Sequence, residues 1–161
     1  MTTLVPMTDG EFVAFVTAAI PAYAMDKVTS GQWSKDEALR LSRKSFDELL
    51  PLGLATANNY LFTIRDSAEQ VTVGMLWIAV QDRGGKRIAY VYDVSVKPEH
   101  QREGYATRAL LALEDKVRSL GLSGIALHVF GHNTGAHALY VKLGYQTTNM
   151  SMFKAIEKPS A

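Results

Sequence analysis

Val94-Ser95-Val96-Lys97-Pro98-Glu99-His100-Gln101-Arg102-Glu103-Gly104-Tyr105-Ala106-Thr107 carries the chain out of a strand, breaks at Pro98 and re-enters a helix through a small-residue turn. Gly104 and Ala106 let a ligand approach the backbone closely. The first N–H groups of the helix have no intrahelical partner, and the positive end of its dipole lies behind them, so phosphate oxygens suit the position. A charge-assisted hydrogen bond contributes about 1.5–3 kcal/mol. Several backbone donors together with Arg102 would therefore hold a diphosphate without a metal. A lone helix start after any loop reads much the same. The stretch lacks the Lys-Ser/Thr pair of a P-loop and the three spaced glycines of a dinucleotide fold, so those phosphate sites fit poorly.

Downstream, the spacing predicts a helix from about Tyr105 to Leu120, a strand Gly124–Phe130, a helix from about Thr134 to Leu143 and a last strand Tyr145–Lys154. The second of these helices lies within Asn133-Thr134-Gly135-Ala136-His137-Ala138-Leu139-Tyr140-Val141-Lys142-Leu143-Gly144-Tyr145.

These two segments carry a resemblance. Gln101-Arg102-Glu103-Gly104-Tyr105-Ala106 resembles the Q/R-x-x-G-x-G/A signature of the GCN5-related N-acetyltransferases, the GNAT superfamily. Asn133–Tyr145 is similar to that family's N-x-x-A-x-x-L-Y-x-K-L-G-F segment, one helix and one strand further on. Together they cover roughly Tyr90 to Lys154. Everything before Tyr60 matches only in the order of elements.

The resemblance implies an α+β fold in which residues 1–161 form a single domain. Its sheet would be mixed, mostly antiparallel and flanked by helices, with a V-shaped opening between the signature strand and Gly124–Phe130. It also implies acetyl-CoA as co-substrate. Main-chain groups of Val94, Ser95 and Val96 would lie along the pantetheine arm. Gln101, Arg102, Glu103, Gly104, Tyr105, Ala106 and Thr107 would surround the pyrophosphate. Asn133 and Ala136 would touch the cofactor near the second helix start. Tyr140, also at the cofactor, matches the family's general acid, and a phenol with a reference pKa of ~10 can protonate a departing thiolate at neutral pH. Helical spacing alone would equally make Tyr140 a half-buried packing residue.

The base is less legible. A frequent family solution is a carboxylate on the signature strand, where this chain aligns Tyr90. Asp93 is the nearest acid, and three roles are open to it: a base acting directly or through water, an anchor for an ammonium, or a polar residue at a strand edge or bulge. Absence of cysteine removes a covalent thioester on the enzyme, thiolate metal sites and disulfides. The resemblance implies an amine acceptor, and with no cysteine to carry an acyl group, direct transfer to a primary amine in a ternary complex is the expected reaction. A GNAT-like domain that binds acyl-CoA as a sensor or interaction module is the alternative.

Upstream, Leu4–Met7 reads as extended. Thr8 or Asp9 can cap a helix carrying Phe12, Val13, Val16, Ala19 and Ile20, which Pro21 should disturb. A second helix is expected after the cap Ser34, with Leu39, Ser42, Phe46, Leu49 and Leu50, ending at Pro51-Leu52-Gly53. Tyr60–Arg65, Val71–Gln81 and Arg87–Val96 then read as an antiparallel meander with turns at Asp66–Glu69 and Asp82–Gly85. The resemblance implies that acceptor specificity comes chiefly from the first two helices and the loop between them, here roughly Glu11–Leu54, and that region holds no legible substrate motif. Trp33, Phe46, Tyr60 and Trp77 could line an acceptor pocket or simply be core.

The chain's 161 residues are 47% hydrophobic, with a formal net charge of +1 and scattered Lys and Arg. That supplies no basic stripe for nucleic acid. The longest continuous apolar run, Met75–Val80, is too short to span a membrane, and the N-terminus lacks a basic and apolar leader pattern, so a cytoplasmic location is the expectation. His100, His128, His132 and His137 lack metal-ligand spacing, and no metal is expected. A homodimer is expected by family analogy, through sheet edges or C-terminal strands.

Overall fold

A computed structural model describes residues 1–160. The elements in order are β1 (Thr2–Pro6), α1 (Asp9–Thr29), α2 (Lys35–Leu49), β2 (Asn59–Asp66), β3 (Val71–Arg83), β4 (Lys86–Val96), α3 (Tyr105–Ser119), β5 (Ile125–Leu127) and α4 (Thr134–Lys142). One sheet orders them β1-β2-β3-β4-β5. Its first three pairings are antiparallel and β4–β5 is parallel, with α3 as the crossover that a parallel pair requires. The fold is the expected α+β architecture.

Two cores lie on the two faces of this sheet. Phe62, Ile64, Leu76, Ile78, Ala89 and Val91 pack with Ala109, Leu110, Leu113 and Val117 of α3. On the other face Leu61, Met75 and Trp77 pack with Phe15 and Ala19 of α1 and Phe46 of α2. Central β3 is covered on both sides, which is why Val73–Ala79 is buried almost without alternation apart from its pleat.

Thr8 caps α1 in a reciprocal box. Its hydroxyl accepts from the Glu11 N–H at 3.2 Å, and Glu11 Oε1 accepts from the Thr8 N–H at 3.0 Å. Glu11 also accepts from Thr63 Oγ at 3.0 Å, fixing the helix to β2. These bonds hold the Glu11 carboxyl below its ordinary acidity range, the Thr8 backbone contributing most.

Three expectations need correction. Pro21 does not end α1, which continues to Thr29. Packing overrides the local preference there: Phe15 and Ala19 before the proline and Ala24 after it are all buried, and buried Ser42 of α2 donates to the Ile20 carbonyl at 2.7 Å. As a continuous helix of 21 residues with mean hydropathy 1.2, α1 is long and apolar enough to cross a membrane, which the shorter run Met75–Val80 is not. Here it packs on α2 and the sheet. Ser34 occupies the cap position of α2 but makes no side-chain cap bond. Tyr145–Lys154 forms no strand, because no neighbouring strand in the chain pairs with it.

Candidate active site

One irregularity in β4 creates the site. Trp77 opposes Asp93 while Ile78 opposes Val91, leaving Tyr92 as an extra residue in the ladder. Such a bulge bends its strand and re-aims side chains. Strict alternation from Tyr90 would send Asp93 toward α3, but the bulge places Asp93 opposite Trp77, on the α1–α2 face with Tyr90 and Tyr92. Pairing between β4 and β5 stops at the same point: Val91–Leu127 is the last partnered pair. Beyond it the strands diverge, and the chain after Leu127 runs on as irregular His128–Phe130.

A cavity of about 410 Å³ opens between the diverging segments. That volume is within the usual range for small-molecule sites. Its β4 wall is Tyr90–Val94, its β5 side Leu127–Phe130, its far end Asn133, Ala136 and Tyr140 of the α4 region, and its cover Tyr23, Asp26 and Lys27 of α1. Aromatic contacts stiffen it. Tyr92 stacks on Trp77 at 4.6 Å between centroids and meets Tyr90 edge-on at 4.8 Å; Tyr23 approaches Phe46 at 6.2 Å and Phe130 at 6.5 Å. Gln81 Nε2 donates to the Tyr92 hydroxyl at 3.1 Å.

Asp93 is the cavity's perturbed carboxyl. Burial pushes it up to about 6, against the Val94 N–H that stabilises its anion, and the Asp26 charge adds to the rise. Burial likewise raises Tyr140 above the ordinary phenol range, with the Asp93 charge adding to it. Tyr140 therefore stays protonated at neutral pH, and the two groups sense one another across the cavity.

The signature stretch lies next along β4. Lys97 N–H bonds to Val73 O at 2.8 Å, and Gln101 Nε2 donates to Val96 O at 3.0 Å, folding the loop back on the strand end. Arg102 and Gly104 both take left-handed φ, +63° and +82°. Gly104 is the N-cap of α3, and no side chain caps the helix. Its first N–H groups thus remain available in a concave turn, a fitting cradle for phosphate oxygens. A Cβ at Gly104 would sit 2.6 Å from Arg108 Nη1. We expect Gly104→Val to weaken acetyl-CoA binding at least tenfold by calorimetry, because strained φ and the displaced Arg108 both disturb the turn.

Individual expectations divide as follows. Asp93, Val94, Asn133, Ala136 and Tyr140 line the cavity. Ser95 is exposed and Val96 partly buried on the same strand beyond it. Gln101, Arg102, Glu103, Ala106 and Thr107 surround the turn and lie outside the cavity wall. The Tyr105 side chain points inward: its hydroxyl donates to Asp66 Oδ2 at 2.7 Å, which pushes the phenol up to about 12 and leaves only its backbone for a ligand. Asn133 Oδ1 accepts from Ala136 N–H at 3.3 Å, so part of its role is to cap α4. Phe46 and Trp77 line the cavity, whereas Trp33 meets Tyr23 edge-on outside it, and Tyr60 stacks on Phe62 at the opposite face.

Sequence reasoning missed Tyr23, Asp26 and Tyr92, which carry no local motif. It also missed Gly74: a Cβ there would run into the Ser95 carbonyl, so this glycine admits the signature strand's close approach. His128 lines the cavity and meets Phe130 edge-on. His132 Nε2 lies 3.0 Å from Asp26 Oδ1, joining the loop before α4 to α1.

Comparison with known proteins agrees with this geometry. The family model described as Acetyltransferase (GNAT) family matches residues 25–145. The chain belongs to the GNAT acetyltransferase family. The uncharacterized N-acetyltransferase YycN of Bacillus subtilis is 36% identical over 153 residues, 95% of this chain and 97% of that one. YdgE of the same organism, also an uncharacterized N-acetyltransferase, is 34% identical over 96% of this chain and 98% of its own. The crystal structure of YycN covers 98% of this GNAT chain and 100% of its own, with a TM-score of 0.93 and 35% identity. Mycothiol acetyltransferase of Saccharomonospora viridis is 35% identical over 91 residues, 53% of this chain and 30% of that protein.

Proposed function

We propose that this GNAT protein transfers an acetyl group from acetyl-CoA directly to a primary amine within a ternary complex. The observation that carries the reading is the placement of Asp93 on β4 and Tyr140 on α4 around one cavity between diverging strands. The residues present fit the co-substrate. Unpaired β4 backbone beyond Val91 offers hydrogen bonds to an amide-bearing arm, and the uncapped turn at Gly104 offers donors to a diphosphate. When bound, acetyl-CoA supplies an activated thioester carbonyl.

The chain's own residues do the rest. Tyr23, Phe46, Trp77 and Tyr92 shape an aromatic seat for the acceptor and exclude water. Asp93, ionised above about pH 6, accepts the proton that the amine nitrogen loses as its bond to the acetyl carbon forms. Backbone donors of β4 stabilise the negative charge developing on the carbonyl oxygen. Tyr140 gives its phenolic proton to the sulfur as the carbon–sulfur bond breaks. Nitrogen loses one proton and sulfur gains one; solvent returns both residues to their starting states.

The absence of cysteine makes the test simple, since a thiol reagent meets no protein background. A panel of primary amines is offered with acetyl-CoA and the released thiol measured. Amine-dependent release with intersecting double-reciprocal lines is expected. Parallel lines, or release indifferent to every amine, would refute direct transfer.

A further inference from the structure

One cation of the cavity has no carboxylate to pair with. Lys27 is the one Lys or Arg among the residues that line it, and among the described residues no ion pair includes this ammonium. Lys27 stands in the last turn of α1, and the chain beyond folds back around it: the N–H groups of Gln32 and Trp33 and the Ser30 hydroxyl all donate to its carbonyl. The ammonium is fixed as well. Lys27 Nζ donates to Gln32 Oε1 at 2.8 Å and lies 5.6 Å from the Tyr23 ring centre and 5.3 Å from that of Trp33, two rings that meet edge-on. Gln32 Nε2 donates in turn to Ser30 Oγ at 2.9 Å. A long side chain is thus held in one place at the cavity, with N–H groups left over for an anion.

The acids are placed differently. Asp26, beside Lys27 in the sequence, is engaged, its Oδ1 lying 3.0 Å from His132 Nε2. Asp93 has only the Val94 N–H as a donor among the described residues, and it belongs to the β4 wall that α1 covers. The cavity therefore offers one carboxylate on its wall and one cation in its cover. Phe46 and Leu49 of α2, with Trp77 and Tyr92 of the sheet, add large apolar surface to the same lining. Charges in such surroundings interact with a ligand's opposite charges more strongly than they would in water.

We propose that the acceptor is a free amino acid with a large apolar side chain, its ammonium meeting Asp93, its carboxylate Lys27 and its side chain Phe46, Leu49, Trp77 and Tyr92. This rests on the amine transfer set out above. A plain amine would leave Lys27 without an anion, a diamine would bring a second positive charge against it, and the amine of a long peptide has no carboxylate beside it. The ammonium first releases one proton to water. The α-nitrogen then bonds to the acetyl carbon and gives a second proton to Asp93, while the carbon–sulfur bond breaks and Tyr140 protonates the sulfur. Solvent carries the proton of Asp93 away and restores that of Tyr140, so an N-acetyl amino acid, free CoA and one proton result. Lys27 takes no part in the bond changes and holds the α-nitrogen in place.

Matched acceptors test this: phenylalanine with its amide and phenylethylamine, and leucine with its amide and 3-methylbutylamine, each offered with acetyl-CoA to the full chain and read by thiol release. In at least one set the free amino acid is expected to exceed both analogues in kcat/KM by about tenfold or more, the effect of one charge-assisted contact. Lys27→Met should bring that ratio near to one, chiefly through the KM of the amino acid, and Lys27→Glu should reverse it in favour of the amine. Because the ratio compares acceptors on one protein, a general loss of folded enzyme does not imitate the change. Analogues used as well as the amino acids, or a ratio that survives Lys27→Met, would overturn the inference and leave amine transfer standing. Release with other primary amines but with none of these would do the same. Release with no amine at all would overturn the reading beneath it as well.

Discussion

Asp93→Asn is expected to lower turnover with the amine acceptor by roughly 10²–10⁴-fold, the usual span for a general base, and to make the protein more stable at pH 8. Both effects have one cause. Burial raises the Asp93 carboxyl from 3.8 to about 6 in the folded chain. Between these values the folded state binds more protons than the unfolded state, so stability falls as pH rises through that window. Above about pH 6 the full penalty is present. At roughly 1.4 kcal/mol per tenfold change in acidity, it amounts to on the order of 3 kcal/mol. Asparagine fills the same space without charge, so the gain should vanish below about pH 4 and appear as a melting temperature several degrees higher at pH 8. In the unmodified enzyme, kcat/KM should rise with pH through about 6. Asp26→Asn removes a charge that helps raise Asp93 and should move that limb to lower pH. A variant Asp93→Asn with full activity would remove the carboxylate from the reaction, and unchanged stability at pH 8 would show that the carboxyl is well solvated.

Tyr140→Phe is expected to lower kcat by about 10²–10⁴-fold while leaving the acetyl-CoA dissociation constant within a fewfold. The ring stays and only the hydroxyl is removed, so packing against Tyr145 is preserved. In the proposed reaction, a proton donated to sulfur matters most when the leaving group is a poor one. Acyl donors with a more acidic thiol should therefore recover much of the lost rate. Equal losses across donors of different thiol acidity would assign Tyr140 to positioning, and full turnover at every pH would exclude it as the acid. Burial holds the phenol protonated above the ordinary range, so no alkaline loss from its ionisation is expected near neutrality.

Much of the architecture was legible from local chemistry. The strand, break and helix start at Val94–Thr107 read correctly because proline, glycine and β-branched residues act within a few positions of themselves. The meander from Tyr60 to Val96 read correctly for the same reason, its turns falling where apolar runs stop. Pro21 misled because its local penalty is met by packing from α2, which no window around residue 21 contains. The last strand misled differently: Tyr145–Lys154 has strand composition, but a strand exists only where a neighbour offers hydrogen bonds.

At the site, the signature and the Asn133–Tyr145 segment were visible because each is contiguous, and the family membership follows from them. Tyr23, Asp26 and Tyr92 were not, since they reach the cavity from α1 and from a bulge in β4 without a motif of their own.

What the sequence by itself determined is the order of elements from β1 to α4, the small-residue turn that starts α3 at Gly104 and the presence of Tyr140 on its helix. Only the tertiary structure decided that Asp93 faces the cavity. Side chains alternate along a strand, so a single extra residue reverses every position after it. That residue is Tyr92, and it is recognisable only from the partner strand, where Trp77 meets Asp93 and Ile78 meets Val91.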